Sequence, residues 1–138
     1  MRRENLHLTL VFLGNVAREK IPQLDVIAGQ QSGTAFDLEF GATGYWRHNR
    51  LAWAAPHSTP EPLRELVAAL EHALRQAGFR LDRRPYAPHM TLIRDARAPA
   101  TLPPLAFDWP VRDFALLESV RGAQGPAYRI LAQWALER

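Results

Sequence analysis

The tetrapeptide His7-Leu8-Thr9-Leu10 returns as His89-Met90-Thr91-Leu92, with histidine and threonine alternating with apolar residues both times. This alternation has the two-residue period of a β-strand, in which residues i and i+2 project from one face about 6.6 Å apart. Each copy therefore predicts a strand that shows an imidazole beside a hydroxyl and turns its apolar residues the other way. The fold must place two such strands. With five histidines in 138 residues, coincidence is a poor account of two copies in the same apolar frame.

A chain of this length fits a single domain, 1–138, because it can bury roughly 70% of its unfolded surface without staples. It has no cysteine, which excludes disulfides, thiolate metal sites, iron–sulfur clusters and a cysteine nucleophile. Apolar residues make up 47% and charged ones 22%, a globular balance, and no apolar run approaches the ~20 residues of a membrane span. The first ten residues lack the apolar core and cleavage site of a signal peptide, so a cytoplasmic location is expected. The net charge is +3, and Lys20 is the single lysine among 17 basic residues. The planar fork of arginine suits phosphate oxygens, so the balance fits a phosphate-bearing partner.

Along the chain, Leu6 to Leu13 predicts a strand ended by Gly14 and Asn15, and Ile21 to Gln31 a helix with Leu24, Ile27 and Ala28 inward, stopped by Ser32-Gly33. Phe36, Leu38 and Phe40 predict a second strand running into a turn over Gly41 to Gly44, and Leu51 to Ala55 a third. The strongest helix runs from Pro60 to about Ala77, with Thr59 as N-cap and Gly78 as left-handed stop. Its inward stripe is Leu63, Leu66, Val67, Leu70 and Leu74, which leaves His72 solvated. Further strands are expected around Phe79 to Leu81 and His89 to Ile93, then a proline-rich loop from Pro99 to Pro110, then strands near Asp113 to Ser119 and Tyr128 to Leu136. The pattern is α+β with mostly antiparallel pairing.

Two copies of the repeat facing each other would make a four-cornered pocket suited to in-line attack at phosphorus. One imidazole takes a proton from the nucleophile, the other gives one to the leaving oxygen, and the hydroxyls hold the non-bridging oxygens. Histidine's ordinary pKa near about 6.5 lets a neutral base and a charged acid coexist, and no metal is needed. A metal site joining His7 and His89 to His48 or His57 is the rival reading, and it leaves both threonines without a role. Trp46, placed in the turn after the second strand, and Tyr86 are candidates for stacking on a terminal base. Trp53 reads as core, and His48 and His57 as loop residues without assigned function. Arg75, Arg80, Arg83, Arg84, Arg94 and Arg97, set against Asp82 and Asp95, form a basic tract able to follow a phosphate backbone.

The segments Glu4 to Gly14 and Arg84 to Ala96 resemble the two signature strands of the bacterial RNA 2′,3′-cyclic phosphodiesterases. These are also called 2′-5′ RNA ligases, of the 2H phosphoesterase superfamily. The resemblance extends through the Trp53 strand, the long helix, Phe107-Asp108-Trp109 and the terminal segment. It implies an α+β, bilobal 2H phosphoesterase (LigT-like) fold, with two mostly antiparallel sheets lining a central cleft, helices outside, and the two motifs related by an approximate two-fold axis. The implied reaction opens a 2′,3′-cyclic phosphate at an RNA end to a 2′-phosphate without a cofactor. By that resemblance His7 is the general acid for the 3′ oxygen, His89 the general base for water, and Thr9 and Thr91 the phosphate ligands. A 5′-hydroxyl RNA would be joined through a 2′-5′ bond by the same groups.

Arg94, where the family often has arginine, is a further expected phosphate contact. Its odd offset from His89 requires the strand to end or bulge first. The expected partner is RNA with 2′,3′-cyclic phosphate ends, with no membrane. Members of the family usually open with about 35 to 40 further residues, a strand and a helix, ahead of the segment that begins at Met1. A lobe without them is expected to expose a sheet edge and an apolar face, which leaves oligomeric state open. Two alternatives stand beside the main reading: an RNA-end-binding protein without turnover, and a 2H phosphodiesterase acting on another cyclic phosphate.

Overall fold

The computed structural model describes residues 6–93, 106–122 and 125–138. Its chain order is a 3-10 turn (Arg18–Lys20), α1 (Ile21–Gly29), β1 (Phe36–Trp46), β2 (Leu51–Pro56), α2 (Glu61–Gln76), β3 (Met90–Ile93), β4 (Phe107–Val111), β5 (Asp113–Gly122) and β6 (Gly125–Ala135). A four-stranded sheet has the order β3-β2-β1-β4, and β5 and β6 form a two-stranded sheet. The β1–β2, β2–β3 and β5–β6 pairs are antiparallel. The chain gathers into two compact units, one from Met1–Leu10, Asp37–Thr59 and Pro85–Pro110, the other from Val11–Phe36, Pro60–Arg84 and Val111–Arg138. Among the described residues no helix is long and apolar enough to cross a membrane.

In the second unit the predicted stripe of α2 is what the helix buries: Leu63, Leu66, Val67, Leu70 and Leu74 are all in the core and His72 is exposed. Leu24 and Ile27 of α1 meet Leu74, with Val11, Leu13, Phe79 and Leu81 packed around them. Phe114 and Trp134 are direct partners across β5 and β6, with ring centroids 5.2 Å apart. A Cβ at Gly29 would come within 3.0 Å of Trp134 Nε1, so α1 approaches β6 closely because it lacks a side chain there.

The expected strand at Phe79 to Leu81 is absent. Gly78 takes φ +92°, its N–H bonds to the Arg75 carbonyl and the Phe79 N–H to the Leu74 carbonyl, each at 3.0 Å. Those paired bonds are a Schellman motif. Phe79 therefore completes the helix cap and packs against the Leu24, Ile27 and Leu74 cluster. At the other end Pro60, with ψ 146°, replaces Thr59 as N-cap, because its carbonyl accepts the first helical bond from Arg64. α1 ends at Gly29, short of Gln31.

In the first unit the expected turn at Gly41 to Gly44 is continuous strand, and β1 runs on to Trp46 before turning over residues 47–50. Register shifts between Phe40 and Ala42, so Gly41 is the extra residue of a bulge. A Cβ at Gly41 would strike the His57 ring and one at Gly44 the Trp53 indole. These glycines serve close approach, not reversal of the chain. The proline-rich loop also gives way at its end: Phe107 stacks on Phe40 with centroids 4.5 Å apart, and Trp109 lies 6.2 Å from it, which makes β4 a strand. Pro110 is tolerated there because β4 is a sheet edge. The closing strands are longer than expected, pairing from Asp113↔Ala135 out to Gly122↔Gly125.

Candidate active site

The first motif is not a strand. Leu8 makes an isolated antiparallel bridge to Met90, and the flanking residues 6–14 have no further ladder. The cause is the division of the chain: Leu10 ends a stretch belonging to the first unit and Val11 begins one belonging to the second, so the segment cannot stay in one ladder. The second motif begins one residue before β3, which starts at Met90.

That single bridge sets the site. In an antiparallel pair centred on Leu8 and Met90, residue 7 stands opposite 91 and residue 9 opposite 89. Continued for one residue each way, that register would bring His7 beside Thr91 and Thr9 beside His89. Directly opposed residues of a regular pair have Cβ atoms about 5 Å apart, the spacing that four polar side chains around one patch would need. Leu8 and Met90 point to the opposite face, where Met90 is buried. The bulk of β2 lies on the other side of β3, with Ala54 opposite Met90 and Trp53 opposite Thr91.

The second histidine is oriented by its own backbone. His89 Nδ1 lies 3.0 Å from the Ala87 carbonyl, which can only accept, so Nδ1 carries a proton and in the neutral imidazole the lone pair is on Nε2. Pro85 and Pro88 bracket that carbonyl and restrict its conformations. The edge of His89 meets Trp46, with centroids 4.7 Å apart and planes at 73°. Trp46, the last residue of β1 and not a turn residue, also packs against Trp53 at 5.4 Å and His48 at 6.2 Å. The Trp53 Nε1 is buried without a hydrogen-bond partner among the described residues, while the residue as a whole, read as core, is only part-buried.

Tyr86 links the two motif segments: its hydroxyl donates to the Thr9 carbonyl at 2.9 Å. Burial pushes the phenol above its ordinary value. A base stacked there would meet the ring alone, since the hydroxyl is engaged. The register shift that Arg94 requires is present, because Trp53 pairs with Thr91 and Ala52 with Ile93, leaving Leu92 as the extra residue. Arg94 itself lies outside the described residues, as do Arg97 and Asp95.

Part of the basic tract is neutralised. Arg84 donates to the Asp82 carboxylate from its backbone N–H at 2.9 Å and from Nε at 2.7 Å, and those hydrogen bonds hold the Asp82 carboxyl below its usual range. Arg75 pairs with Glu71 at 3.3 Å and donates to the Asp82 carbonyl. His57 is fixed by its N–H to the Glu39 carbonyl, with its ring over Gly41. Among the described residues no three His, Asp or Glu side chains converge as a metal-binding group. Sequence reading missed the Ala87 carbonyl and the Trp46–His89 contact; the Pro-Tyr-Ala-Pro-His run was the available signal for the first.

The profile of the 2′-5′ RNA ligase superfamily matches residues 1–123. The chain belongs to the 2′-5′ RNA ligase superfamily. Among relatives of this superfamily, the RNA 2′,3′-cyclic phosphodiesterase of Escherichia coli (strain K12) is 36% identical over 135 residues, which cover 96% of this chain and 77% of the relative. The enzyme of the same name from Thermus thermophilus is 31% identical over 142 residues, 95% of this chain and 72% of the relative. The crystal structure of E. coli LigT in apo form superposes with a TM-score of 0.90 at 34% identity, covering all of this chain (100%) and 80% of that one. The LigT complex with 3′-AMP gives 0.88 at 35%, covering 97% and 78%. The superfamily member described here thus has the LigT-like α+β fold.

Proposed function

We propose that the chain is an RNA 2′,3′-cyclic phosphodiesterase that opens the cyclic phosphate to a 2′-phosphate with His7 and His89 as an acid–base pair. The observation that supports this reading is the Leu8–Met90 bridge, which ties the two His-x-Thr segments together at their central apolar residues. The names carried by the superfamily relatives support the same substrate class.

His89, with Nδ1–H held by Ala87, takes a proton from water on Nε2. The water oxygen bonds to phosphorus as the bond from phosphorus to O3′ breaks, and His7 in its charged form delivers a proton to O3′. The products are a 2′-phosphate and a 3′-hydroxyl, with the proton passed from one histidine to the other and exchanged through solvent. Thr9 and Thr91 hydroxyls donate to the non-bridging oxygens as charge builds on them. Arg94 supplies a further phosphate contact, and Tyr86 keeps Thr9 in place. With an RNA 5′-hydroxyl in the place of water, the same exchange at phosphorus yields a 2′-5′ linkage.

The test is a short RNA ending in a 2′,3′-cyclic phosphate, incubated with the protein in EDTA, with products separated by chromatography. The expected result is conversion to the 2′-phosphate at an undiminished rate in the chelator. A 3′-phosphate product, or no turnover by folded protein, would contradict the reading.

A further inference from the structure

The hairpin turn between β1 and β2 carries Arg47, His48 and Arg50, all exposed. It begins directly after Trp46, whose ring touches His89. Among the described residues neither Arg47 nor Arg50 has an ion-pair or hydrogen-bond partner, whereas Arg18, Arg75, Arg84 and Arg129 are all paired with carboxylates. Arg50 also adopts φ 55°, the left-handed region in which glycine is the ordinary choice. An arginine where the backbone favours glycine, without a partner among the described residues and beside the proposed patch, points to a role outside the fold.

We infer that Arg47 and Arg50 bind the phosphates of the RNA strand inward from its cyclic end, so that the hairpin holds a polynucleotide while the His–Thr patch holds its terminus. This rests on the phosphodiesterase reading above. Charge gives the strand a direction across the sheet. Glu39, near the start of β1, and Asp108 on neighbouring β4 are exposed and acidic, while the far end of β1 runs into the basic turn. A polyanion leaving the patch is repelled along the first course and attracted along the second. The Trp46 ring, between the turn and His89, is an apolar surface on this course against which a sugar or base can lie.

The experiment is a binding titration that needs no turnover: a 5′-labelled hexauridylate ending in a 2′-phosphate, followed by anisotropy over a range of salt. For the double variant Arg47→Ala/Arg50→Gly we expect about tenfold weaker binding at low salt. The slope of log K against log salt should be shallower by about 1.4, the loss of two single-strand phosphate contacts. Glycine at position 50 relieves the backbone, so the variant folds, and Arg47→Gln/Arg50→Gln tests the same charges at similar volume. Arg121→Ala/Arg138→Ala removes equal charge elsewhere and should leave the slope near that of the wild type. Equal slopes in the wild type and both hairpin variants, equal loss in the control pair, or no binding by the wild type would each overturn the proposal. Turnover of a cyclic-ended RNA by the wild type is scored separately, so failure of the phosphodiesterase reading is distinguishable from failure of this one.

Discussion

The Tyr86 hydroxyl donates to the Thr9 carbonyl at 2.9 Å across a sequence separation of 77 residues. With the Leu8–Met90 bridge it forms a second tie between the two motif segments, and neither tie lies within a regular ladder on the Leu8 side. Tyr86→Phe keeps the ring and removes the tie. It should cost about 1 kcal/mol of stability by urea unfolding and lower kcat several-fold, with a smaller change in KM, since loss of register misaligns reacting groups more than it weakens contact. Unchanged kcat alongside the expected loss of stability would reduce Tyr86 to a structural residue.

The same phenol predicts an alkaline limb. Its folded pKa is raised by burial above the ordinary 10.0, so the fold favours the protonated form. Below that pH both states hold the proton and the contribution is fully present. As pH rises beyond it the unfolded chain releases the proton first, and stability falls. Urea midpoints at about pH 9 and about pH 11 should decline less in Tyr86→Phe than in the wild type. Parallel declines would assign the alkaline loss to other groups.

Gly44 is a lever on His89, in the proposed catalytic pair, from two strands away. It pairs with Trp53, whose indole occupies the place of a side chain there, and Trp53 packs on Trp46, which packs on His89. Gly44→Ala should destabilise by about 1 to 3 kcal/mol through overpacking and also lower kcat, readable by thermal melting and steady-state kinetics. A well-folded variant with full activity would show that the aromatic stack does not position His89.

Leu63 has no solvent exposure and anchors α2 in the second unit. Leu63→Ala should cost about 2 to 5 kcal/mol by urea unfolding. A loss below 1 kcal/mol (about the cost of a surface change) would contradict its place in the core.

The buried stripe of α2 and the alternation Phe36, Leu38, Phe40 were legible because burial follows the helical and strand periods directly. The repeat pointed to a meeting of its two copies, and the Leu8–Met90 bridge joins the two segments at their central apolar residues. What failed were inferences from local residue type: Gly41 and Gly44 looked like a turn and are space for rings, and Phe79 and Leu81 looked like a strand and are a helix cap with core packing. Leu6 to Leu13 alternates as a strand should, yet the chain passes between units at Leu10, a tertiary fact the alternation does not contain. The edge position that admits Pro110 in β4 and the carbonyl that sets the His89 tautomer likewise depend on distant partners or backbone course.

The central claim is that His7 and His89 work as one acid–base pair across the Leu8–Met90 bridge. Its most direct test is the rate of opening of a cyclic-ended RNA by His7→Ala, His89→Ala and the double variant, each shown to be folded. Partners in one proton relay are non-additive: each single variant should lose about 10² to 10⁴ in kcat, and the double should lose little more than the worse single. Near-wild-type turnover in either single variant, or losses that multiply in the double, would contradict the account.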